Sequence, residues 1–254
     1  MCGRFSLIHS ADEIEALFEL QEMERHEPRY NIAPTQPVLV VIAGDGTGRE
    51  PGSNLPDRRV RLVRWGLIPS WVKDPRDFPL LINARSETAA EKASFRGPMR
   101  HWRVLIPASG FYEWKREGRQ KPQAYWVRPR DGSLIAFAGV MDSLLAADGS
   151  QVETAAVLTT KANAALSHIH HRMPVVIRPR DFSRWLDCRN FEPRHIAELL
   201  APVDPDFFEA VPVSDKVNKA ANMGRDLQEP IELSDDGSQN SARSADTDTQ
   251  MSLF

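Results

Sequence analysis

The stretch of sequence that decides the fold is Val104-Leu105-Ile106-Pro107-Ala108-Ser109-Gly110-Phe111-Tyr112-Glu113-Trp114. Branched and aromatic residues dominate this run, and they are typical of a β-strand. Four further runs of the same character occur along the chain: Val60–Leu67, Ala124–Val127, Leu134–Val140 and Thr154–Thr159. Because strands are many and helices few, the sequence predicts the α+β fold class. We expect a single domain with a curved, mostly antiparallel β-sheet or open barrel, flanked by short helices.

Helix signals are few and short. Ser10, followed three residues later by Glu13, forms a capping box that predicts the start of an amphipathic helix bearing Ile14 and Phe18. Four other segments predict short or partial helices: Asn83–Ser94, Lys161–His168, Pro179–Asp187 and Pro193–Leu200. The prolines that open the last two suit a helix start, where a missing N–H costs nothing.

The composition is that of an ordinary globular protein, since 41% of the 254 residues are hydrophobic and 26% are charged. No apolar run is long enough to span a bilayer, and the N-terminus lacks a signal-peptide pattern, so we expect no membrane association. The only cysteines are Cys2 and Cys188. A disulfide framework is therefore not expected, and the cytoplasm is the predicted compartment.

Charge and composition divide the chain into two parts. Residues 229–254 hold six acidic residues and one basic residue, so this tail contributes −5 to the net charge of −3, and residues 1–228 carry +2. From about Ile231 the chain consists mostly of polar residues, which predicts disorder. We therefore expect a folded domain over 1–228 and a disordered acidic tail over 229–254. The mildly basic domain is compatible with nucleic-acid binding but does not establish it.

The chain begins Met1-Cys2-Gly3-Arg4-Phe5, so removal of Met1 makes Cys2 the N-terminal residue. Its α-amine (pKa about 7.7–8.0) and its thiol (about 8.5) are then both partly nucleophilic at neutral pH. Together they can condense with an aldehyde, the amine forming an imine and the thiol closing a five-membered thiazolidine ring. Alternatively, the thiol alone attacks a carbonyl with its own amine as base, or Cys2 is merely a small residue after the start codon.

Three segments place dense polar residues in apolar surroundings: Ile82–Thr88, Ser109–Trp114 and Ser167–Pro174. In the second of them, Glu113 is flanked by aromatic residues at the end of an apolar run. Desolvation there raises a carboxyl pKa, which suits a general acid near neutral pH. A glutamate that faces solvent at a strand end is the alternative.

Three histidines, His168, His170 and His171, lie close together in the third segment. A structural zinc site needs four ligands, and no second Cys/His cluster complements these residues. We therefore expect no metal site. One catalytic histidine with two incidental ones is the favoured interpretation, and three satisfied or exposed histidines are the alternative.

Basic and aromatic residues interleave through the middle of the chain: Arg61, Arg64, Trp65, Trp71, Arg85, Phe95, Arg96, Arg100, Trp102 and Arg103. Guanidinium groups pair with phosphates, and exposed aromatic rings stack on unpaired bases. This pattern indicates a groove for single-stranded nucleic acid. Alternatively, Trp65 and Trp102 belong to the core and the arginines form a solvated face.

Six motifs in this order resemble the SRAP family of abasic-site processing proteins, also called SOS response-associated peptidases, as found in bacteria. The matching pieces are Met1–Phe5, Tyr30-Asn31-Ile32-Ala33-Pro34, Arg64-Trp65-Gly66-Leu67-Ile68-Pro69-Ser70-Trp71, Ile82–Thr88, Gly110–Trp114 and His170-His171-Arg172-Met173-Pro174. They extend over residues 1 to about 215. The resemblance therefore makes residues 1–228 an SRAP-like domain.

The resemblance implies roles for nine residues. Cys2 acts as the nucleophile, and Asn83, Glu113 and His170 are the other catalytic residues. The five residues that the resemblance places in contact with DNA are Arg4, Trp71, Arg85, Thr159 and Arg172. One departure concerns Val72, which follows Trp71 where some relatives have a second aromatic residue.

The function implied by the resemblance is recognition of abasic sites in single-stranded DNA. After Met1 removal, Cys2 forms a covalent thiazolidine crosslink with the sugar aldehyde and so protects the lesion. The implied enzyme activity is peptidase-type (hydrolase) self-processing that exposes Cys2, and lyase-type chemistry is compatible with it. We expect no cofactor, a monomer, and a cytoplasmic protein associated with the nucleoid. The alternatives are an N-terminal-nucleophile cysteine peptidase or amidase, and a non-covalent binder of single-stranded DNA.

The tail ends Gln250-Met251-Ser252-Leu253-Phe254. This pentapeptide resembles the motif by which bacterial proteins bind the DNA polymerase sliding clamp. Leu253 and Phe254 would enter a hydrophobic pocket, and Gln250 would hydrogen-bond at its edge. The sequence therefore indicates the clamp as a second partner, and a chance ending is the alternative.

Overall fold

The computed structural model describes residues 2–45, 54–118, 121–145 and 149–233. The strands of this part are β1 (Phe5–Leu7), β2 (Arg29–Ile32), β3 (Pro37–Ala43), β4 (Arg58–Trp65), β5 (Asn83–Arg85), β6 (Arg103–Ala108), β7 (Gly110–Lys115), β8 (Gln123–Pro129), β9 (Ile135–Leu145), β10 (Gln151–Lys161), β11 (Arg172–Pro174), β12 (Val176–Ile177) and β13 (Phe208–Val213). The α-helices are α1 (Ala11–Phe18), α2 (Ala93–His101) and α3 (Phe182–Leu186). The 3-10 helices are Pro75–Asp77, Pro179–Asp181, Pro193–Leu200, Asp215–Asn218 and Arg225–Gln228.

Five strands close into a barrel in the order β10-β4-β3-β6-β9, because β9 also pairs with β10. Neighbours in the barrel are antiparallel, except β4 and β10, which are parallel. The short strands β5 and β11 extend the sheet from β10, and β12 extends it from β9. The predicted fold class, an α+β domain built on a mostly antiparallel curved sheet or barrel, is confirmed.

A second, fully antiparallel sheet packs on the barrel in the order β13-β8-β7-β1-β2. The ring of Phe5 in β1 contacts the barrel rings of Trp65 and Phe137, with centroids 5.1 and 6.0 Å apart. Phe111 in β7 meets the same Phe137 at 6.1 Å. These three phenylalanines are fully buried, and burial of each contributes about 1.5–3 kcal/mol. The core that joins the two sheets therefore includes the first strand of the chain.

The stretch 104–114 is two strands rather than one continuous run. β6 belongs to the barrel and β7 to the second sheet, and the chain passes between them at Ser109. Its backbone N–H donates to the Ser6 carbonyl at 2.7 Å. A Cβ on Gly110 would lie 2.6 Å from the Val127 carbonyl oxygen, so the crossing requires glycine here. This crossing brings Glu113 beside the N-terminal strand.

Three of the helix predictions are confirmed, and one of them is Pro193–Leu200, which forms a 3-10 helix beginning at its proline. Ser10 and Glu13 form the predicted capping box at the start of α1. Pro179–Asp187 contains a 3-10 turn followed by α3. The prediction of a short helix over Lys161–His168 is wrong, since only turns follow the end of β10. Within Asn83–Ser94 the chain forms β5 and then turns, and α2 begins only at Ala93.

The predicted acidic tail and the clamp-like motif with Gln250, Leu253 and Phe254 lie outside the described residues, except for 229–233. In the part of the chain that is described, helices are too short or too polar to cross a membrane.

Candidate active site

Cys2 lies just before β1, at the junction of the two sheets. In the antiparallel pairing of β1 with β7, the Tyr112 N–H donates to the Arg4 carbonyl at 2.9 Å. Continuing this register places Gly3 opposite Glu113, one residue from Cys2. The Cys2 side chain is fully buried, and its Sγ lies 3.8 Å from the Arg4 carbonyl oxygen. Burial, assisted by the negative charge of Glu113, raises the pKa of the Cys2 thiol, so the sulfur carries its proton at neutral pH.

Asn83 reaches the Cys2 backbone from the opposite sheet. It begins β5, which pairs in parallel with β10 through Asn83 and Val157. Its Nδ2 donates to the Cys2 carbonyl oxygen at 2.8 Å. Its Oδ1 is buried and accepts no hydrogen bond from any described residue. Asn83 therefore fixes the main chain of Cys2 and leaves an acceptor available beside it.

Glu113 and His170 form the polar wall of the same site. Glu113 is 4% exposed, and burial raises the pKa of its carboxyl group, as its aromatic neighbours in the sequence predict. The Nδ1 atom of His170 lies 3.9 Å from Glu113 Oε1 and accepts a hydrogen bond from the Arg172 N–H at 3.0 Å. Burial lowers the pKa of His170, so the neutral ring carries its proton on Nε2. An acid whose pKa is raised thus adjoins a base whose pKa is lowered.

A cleft of about 670 Å³ opens onto this wall. Its lining includes Glu113, Trp114, Arg116, His170, His171 and Asn218. The ring centroids of His170 and His171 are 4.3 Å apart, and His170 lowers the pKa of His171. Another cleft of about 550 Å³ is lined by Arg61, Trp102 and Arg103 from the interleaved basic and aromatic residues, but by none of the nine residues to which the resemblance gives a role. Two of the four predicted catalytic residues, Glu113 and His170, therefore line the first cleft.

Two of the predicted DNA-contacting residues are exposed. Arg85 lies in β5, two residues after Asn83, and its side chain has no ion-pair partner among the described residues. Trp71 is 58% exposed and packs edge-to-face against Phe78 with ring centroids 5.6 Å apart. Val72 is buried, so Phe78 rather than the next residue supplies the aromatic neighbour of Trp71. Both side chains are free to meet a nucleic acid.

The other three predicted DNA-contacting residues have partners inside the protein. Thr159 and Arg172 are buried, and the Arg172 guanidinium pairs with both carboxylate oxygens of Glu87 at 2.6 and 2.8 Å. It also donates to the Thr159 carbonyl oxygen. Arg4 donates to Asn31 Oδ1 and to backbone carbonyls of residues 217 and 218. These contacts give the three residues structural roles, and their contact with DNA stays a prediction.

Glu87→Gln is expected to destabilise the fold by weakening this pairing. Hydrogen bonds to a charged group contribute about 1.5–3 kcal/mol, and 41% exposure of the Glu87 side chain places the expected loss at the lower end, about 1–2 kcal/mol. Urea unfolding at pH 7 measures it. Hydrogen bonding to Arg172 lowers the pKa of Glu87, so this contribution is present at neutral pH and is lost as the pH falls through the lowered pKa.

The matched control is Glu91→Gln, since Glu91 is also exposed on the following turn. This change is expected to move the free energy of unfolding by less than about 0.5 kcal/mol. Equal effects of the two substitutions would show that the Arg172 pair contributes nothing specific.

The described residues contain no cluster of three or more His, Cys, Asp or Glu side chains arranged to hold a metal ion.

Three residues of the site received no role from the sequence: Asn31, Asn218 and His171. Asn31 did carry a signal, because it belongs to one of the six matching motifs. Asn218 carried none, since its neighbour Trp114 is remote in the sequence.

Comparisons with known proteins agree with the motifs. A family model described as SOS response associated peptidase (SRAP) matches residues 1–220. The chain is 38% identical over 232 residues to the abasic site processing protein YoqW of Bacillus subtilis (strain 168), covering 90% of this chain and 99% of that protein. It is 32% identical over 240 residues to the abasic site processing protein YedK of Escherichia coli (strain K12), covering 91% and 100%.

Among solved structures, the fold is similar to that of a protein from Bacteroides thetaiotaomicron. The TM-score is 0.77 with 24% sequence identity, and the match covers 91% of this chain and 100% of the other. At this identity the likeness concerns the fold alone.

Proposed function

The chain belongs to the SOS response associated peptidase (SRAP) family, and from this premise we propose that it recognises abasic sites in single-stranded DNA and crosslinks to them through Cys2. The observation that carries the proposal is the burial of Cys2 beside Asn83 and Glu113, with Glu113 and His170 lining one cleft. The relatives named abasic site processing proteins supply the class of substrate.

The crosslink requires removal of Met1, which converts the Cys2 nitrogen from an amide into a primary amine. The ring-opened sugar of an abasic site presents an aldehyde at C1′. The amine adds to C1′, and the resulting carbinolamine loses one water to give an imine. The thiol then adds across the C=N bond, its sulfur bonding to C1′ and its proton passing to nitrogen. The product is a thiazolidine, and one water is the only group released.

The surrounding residues supply the proton transfers. Protonated Glu113 can donate to the ring oxygen as the sugar opens, and later to the hydroxyl that leaves the carbinolamine. His170, neutral at pH 7, can accept a proton from the attacking amine. The buried Oδ1 of Asn83 can accept a hydrogen bond from the new amine, which would orient its lone pair towards C1′. Each role uses an atom that already faces Cys2 or the cleft.

The DNA strand would follow the exposed residues outside the cleft. Arg85 can pair with a phosphate near the lesion, and Trp71 can stack on a base. The packing of Trp71 against Phe78 restricts its ring, so less side-chain freedom is lost when a base stacks on it. Binding of this kind weakens with rising salt because counterions are released from the strand.

The raised pKa of the Cys2 thiol argues against the alternative function, that of a cysteine peptidase or amidase. Such enzymes need a thiolate, and they lower the thiol pKa to obtain it. Here burial raises the pKa of Cys2. The crosslinking mechanism begins instead with the amine and needs the thiol only in its last step. We therefore limit the proposed peptidase-type activity to the removal of Met1.

The test is denaturing electrophoresis after mixing the protein with a single-stranded oligonucleotide that carries one abasic site. A heat-stable band of reduced mobility is expected, and intact mass spectrometry should give the mass of the protein without Met1 plus the oligonucleotide minus one water. The same oligonucleotide with an intact base is the control. An unshifted band from protein that lacks Met1 would refute the proposal.

We propose further that Gln250, Leu253 and Phe254 bind the bacterial sliding clamp, which would bring the domain to replication forks. A tethered short segment binds modestly but with long reach. Fluorescence anisotropy of a labelled peptide with residues 245–254 should show saturable binding to a bacterial clamp. Replacing Leu253 and Phe254 by alanine should weaken it at least about tenfold, whereas replacing Asp246 and Asp248 by asparagine should not. Equal binding by both variants would exclude the motif.

A further inference from the structure

We infer that Asn218 is a DNA-contacting residue whose side-chain amide donates a hydrogen bond to a phosphate oxygen of the strand bound in the cleft. The inference rests on the proposed function and adds to it a residue that neither the motifs nor the comparisons point to. Asn218 ends the 3-10 helix Asp215–Asn218, is exposed, and lines the same cleft as Glu113 and His170.

Trp114 fixes the orientation of this amide. Its indole Nε1 lies 2.7 Å from Asn218 Oδ1. The indole N–H is a donor only, so the atom that faces it must be the amide oxygen. The Nδ2 group, with two N–H donors, is thereby directed away from the indole. Among the described residues no group accepts a hydrogen bond from it, so both donors remain available to a ligand.

The main chain that carries Asn218 is also held in place. Arg4 donates to the Val217 carbonyl at 2.7 Å and to the Asn218 carbonyl at 3.0 Å. Asn31, which is only 3% exposed, donates from Nδ2 to the carbonyls of Lys219 and Asn222 at 3.1 and 2.9 Å. Arg4 and Asn31 are thus positioning residues for this wall of the cleft. A donor held in this way loses little freedom when a ligand binds.

The charge around Asn218 identifies the ligand group. The exposed lining of the cleft includes the cationic guanidinium of Arg116 and the imidazole of His171, whose N–H is a neutral donor, whereas the one carboxylate there, Glu113, is 4% exposed. An anionic acceptor is therefore favoured at the cleft surface over a cation or a neutral donor. In a DNA strand the anionic acceptors are the phosphate oxygens, which commonly accept hydrogen bonds from asparagine side chains.

The test measures binding apart from chemistry, with an oligonucleotide that carries a tetrahydrofuran abasic analogue and so cannot form an aldehyde. Fluorescence anisotropy gives its Kd. Asn218→Ala is expected to raise the Kd about tenfold. Asn218→Asp keeps an acceptor for Trp114 but removes both donors and adds a negative charge, so it is expected to raise the Kd about tenfold or more. Asn54→Ala and Asn54→Asp are matched controls at an exposed position outside the cleft, and each should change Kd by less than about twofold.

A second arm identifies the phosphate. Neutral methylphosphonate linkages are placed one at a time on the 5′ and 3′ sides of the analogue. At the linkage that Asn218 contacts, the neutral linkage is expected to raise the Kd of the wild-type protein but to leave the Kd of Asn218→Ala unchanged, because that variant has already lost the contact. If the neutral linkage raises the Kd of both proteins by the same factor at every position, the phosphate contact is refuted. A Kd for Asn218→Asp within about twofold of wild type, at an unchanged melting temperature, refutes the contact altogether.

Failure of the proposed function remains distinguishable from failure of this inference. A protein that binds the analogue through Asn218 but forms no heat-stable adduct with a true abasic site would retain the contact and lose the crosslink. If the protein forms the adduct but its Kd for the analogue does not depend on Asn218, the crosslink is retained and the Asn218 contact is refuted.

Discussion

The Cys2→Ala variant is expected to form no heat-stable adduct with an abasic oligonucleotide, whereas the wild-type protein converts the oligonucleotide to adduct. Alanine keeps the free amine after Met1 removal, so the imine can still form, but no sulfur is present to close the ring. An imine hydrolyses when the protein is denatured, and the band therefore disappears. Denaturing electrophoresis measures the loss directly, and borohydride added before denaturation should recover a band by reducing the imine to an amine.

Cys188 provides the matched control, because it is the only other cysteine in the chain. It follows α3 on the barrel and is half-buried, away from the cleft that contains Glu113. Cys188→Ala should crosslink like the wild type. Loss of adduct in Cys188→Ala, or a heat-stable adduct in Cys2→Ala without borohydride, would contradict the thiazolidine assignment.

Local signals in the sequence predicted the parts of the fold that depend on neighbouring residues. The capping box at Ser10 needs only Glu13, three residues away, and it is present. The division of 104–114 into β6 and β7 was not predictable in this way. It depends on the approach of Gly110 to the backbone of Val127 in another strand, and both halves of the stretch consist mostly of apolar residues.

The same distinction applies to the site. Burial of Glu113 follows from its aromatic neighbours, so its raised pKa was predictable. The environment of an arginine was not, because a guanidinium that meets DNA and one that pairs with a buried carboxylate look alike in sequence. Arg85 is exposed, whereas Arg172 is buried and donates two hydrogen bonds to the Glu87 carboxylate. Only the packing of β5, β10 and β11 separates the two cases.

Glu113→Gln is expected to slow adduct formation by about 10²–10⁴-fold, the range over which a positioned general acid or base contributes. Glutamine keeps the shape of the side chain and its hydrogen-bonding capacity, but it cannot give or take a proton. The first-order rate constant for adduct formation at saturating oligonucleotide measures the effect. Affinity for the tetrahydrofuran analogue should change little, since Glu113 is buried behind the surface of the cleft.

The pH profile separates an acid role from a structural one. Because burial raises the pKa of Glu113, its protonated form persists above the range of an ordinary glutamic acid and declines as the pH rises through the raised pKa. The attacking amine must be deprotonated, which favours higher pH. The wild-type rate should therefore pass through a maximum, and Glu113→Gln should lack the falling alkaline limb.

Glu117→Gln is the matched control for this prediction. Glu117 lies just beyond the end of β7, and its exposed carboxylate pairs with Lys115 at 2.5 Å. The same chemical change there should leave both the rate and the pH profile as in the wild type. A Glu113→Gln rate within about threefold of wild type, or one that keeps the falling limb, would remove Glu113 from the proton transfers. His170, whose Nδ1 lies 3.9 Å from the Glu113 carboxylate, would then be the remaining predicted acid or base of the site.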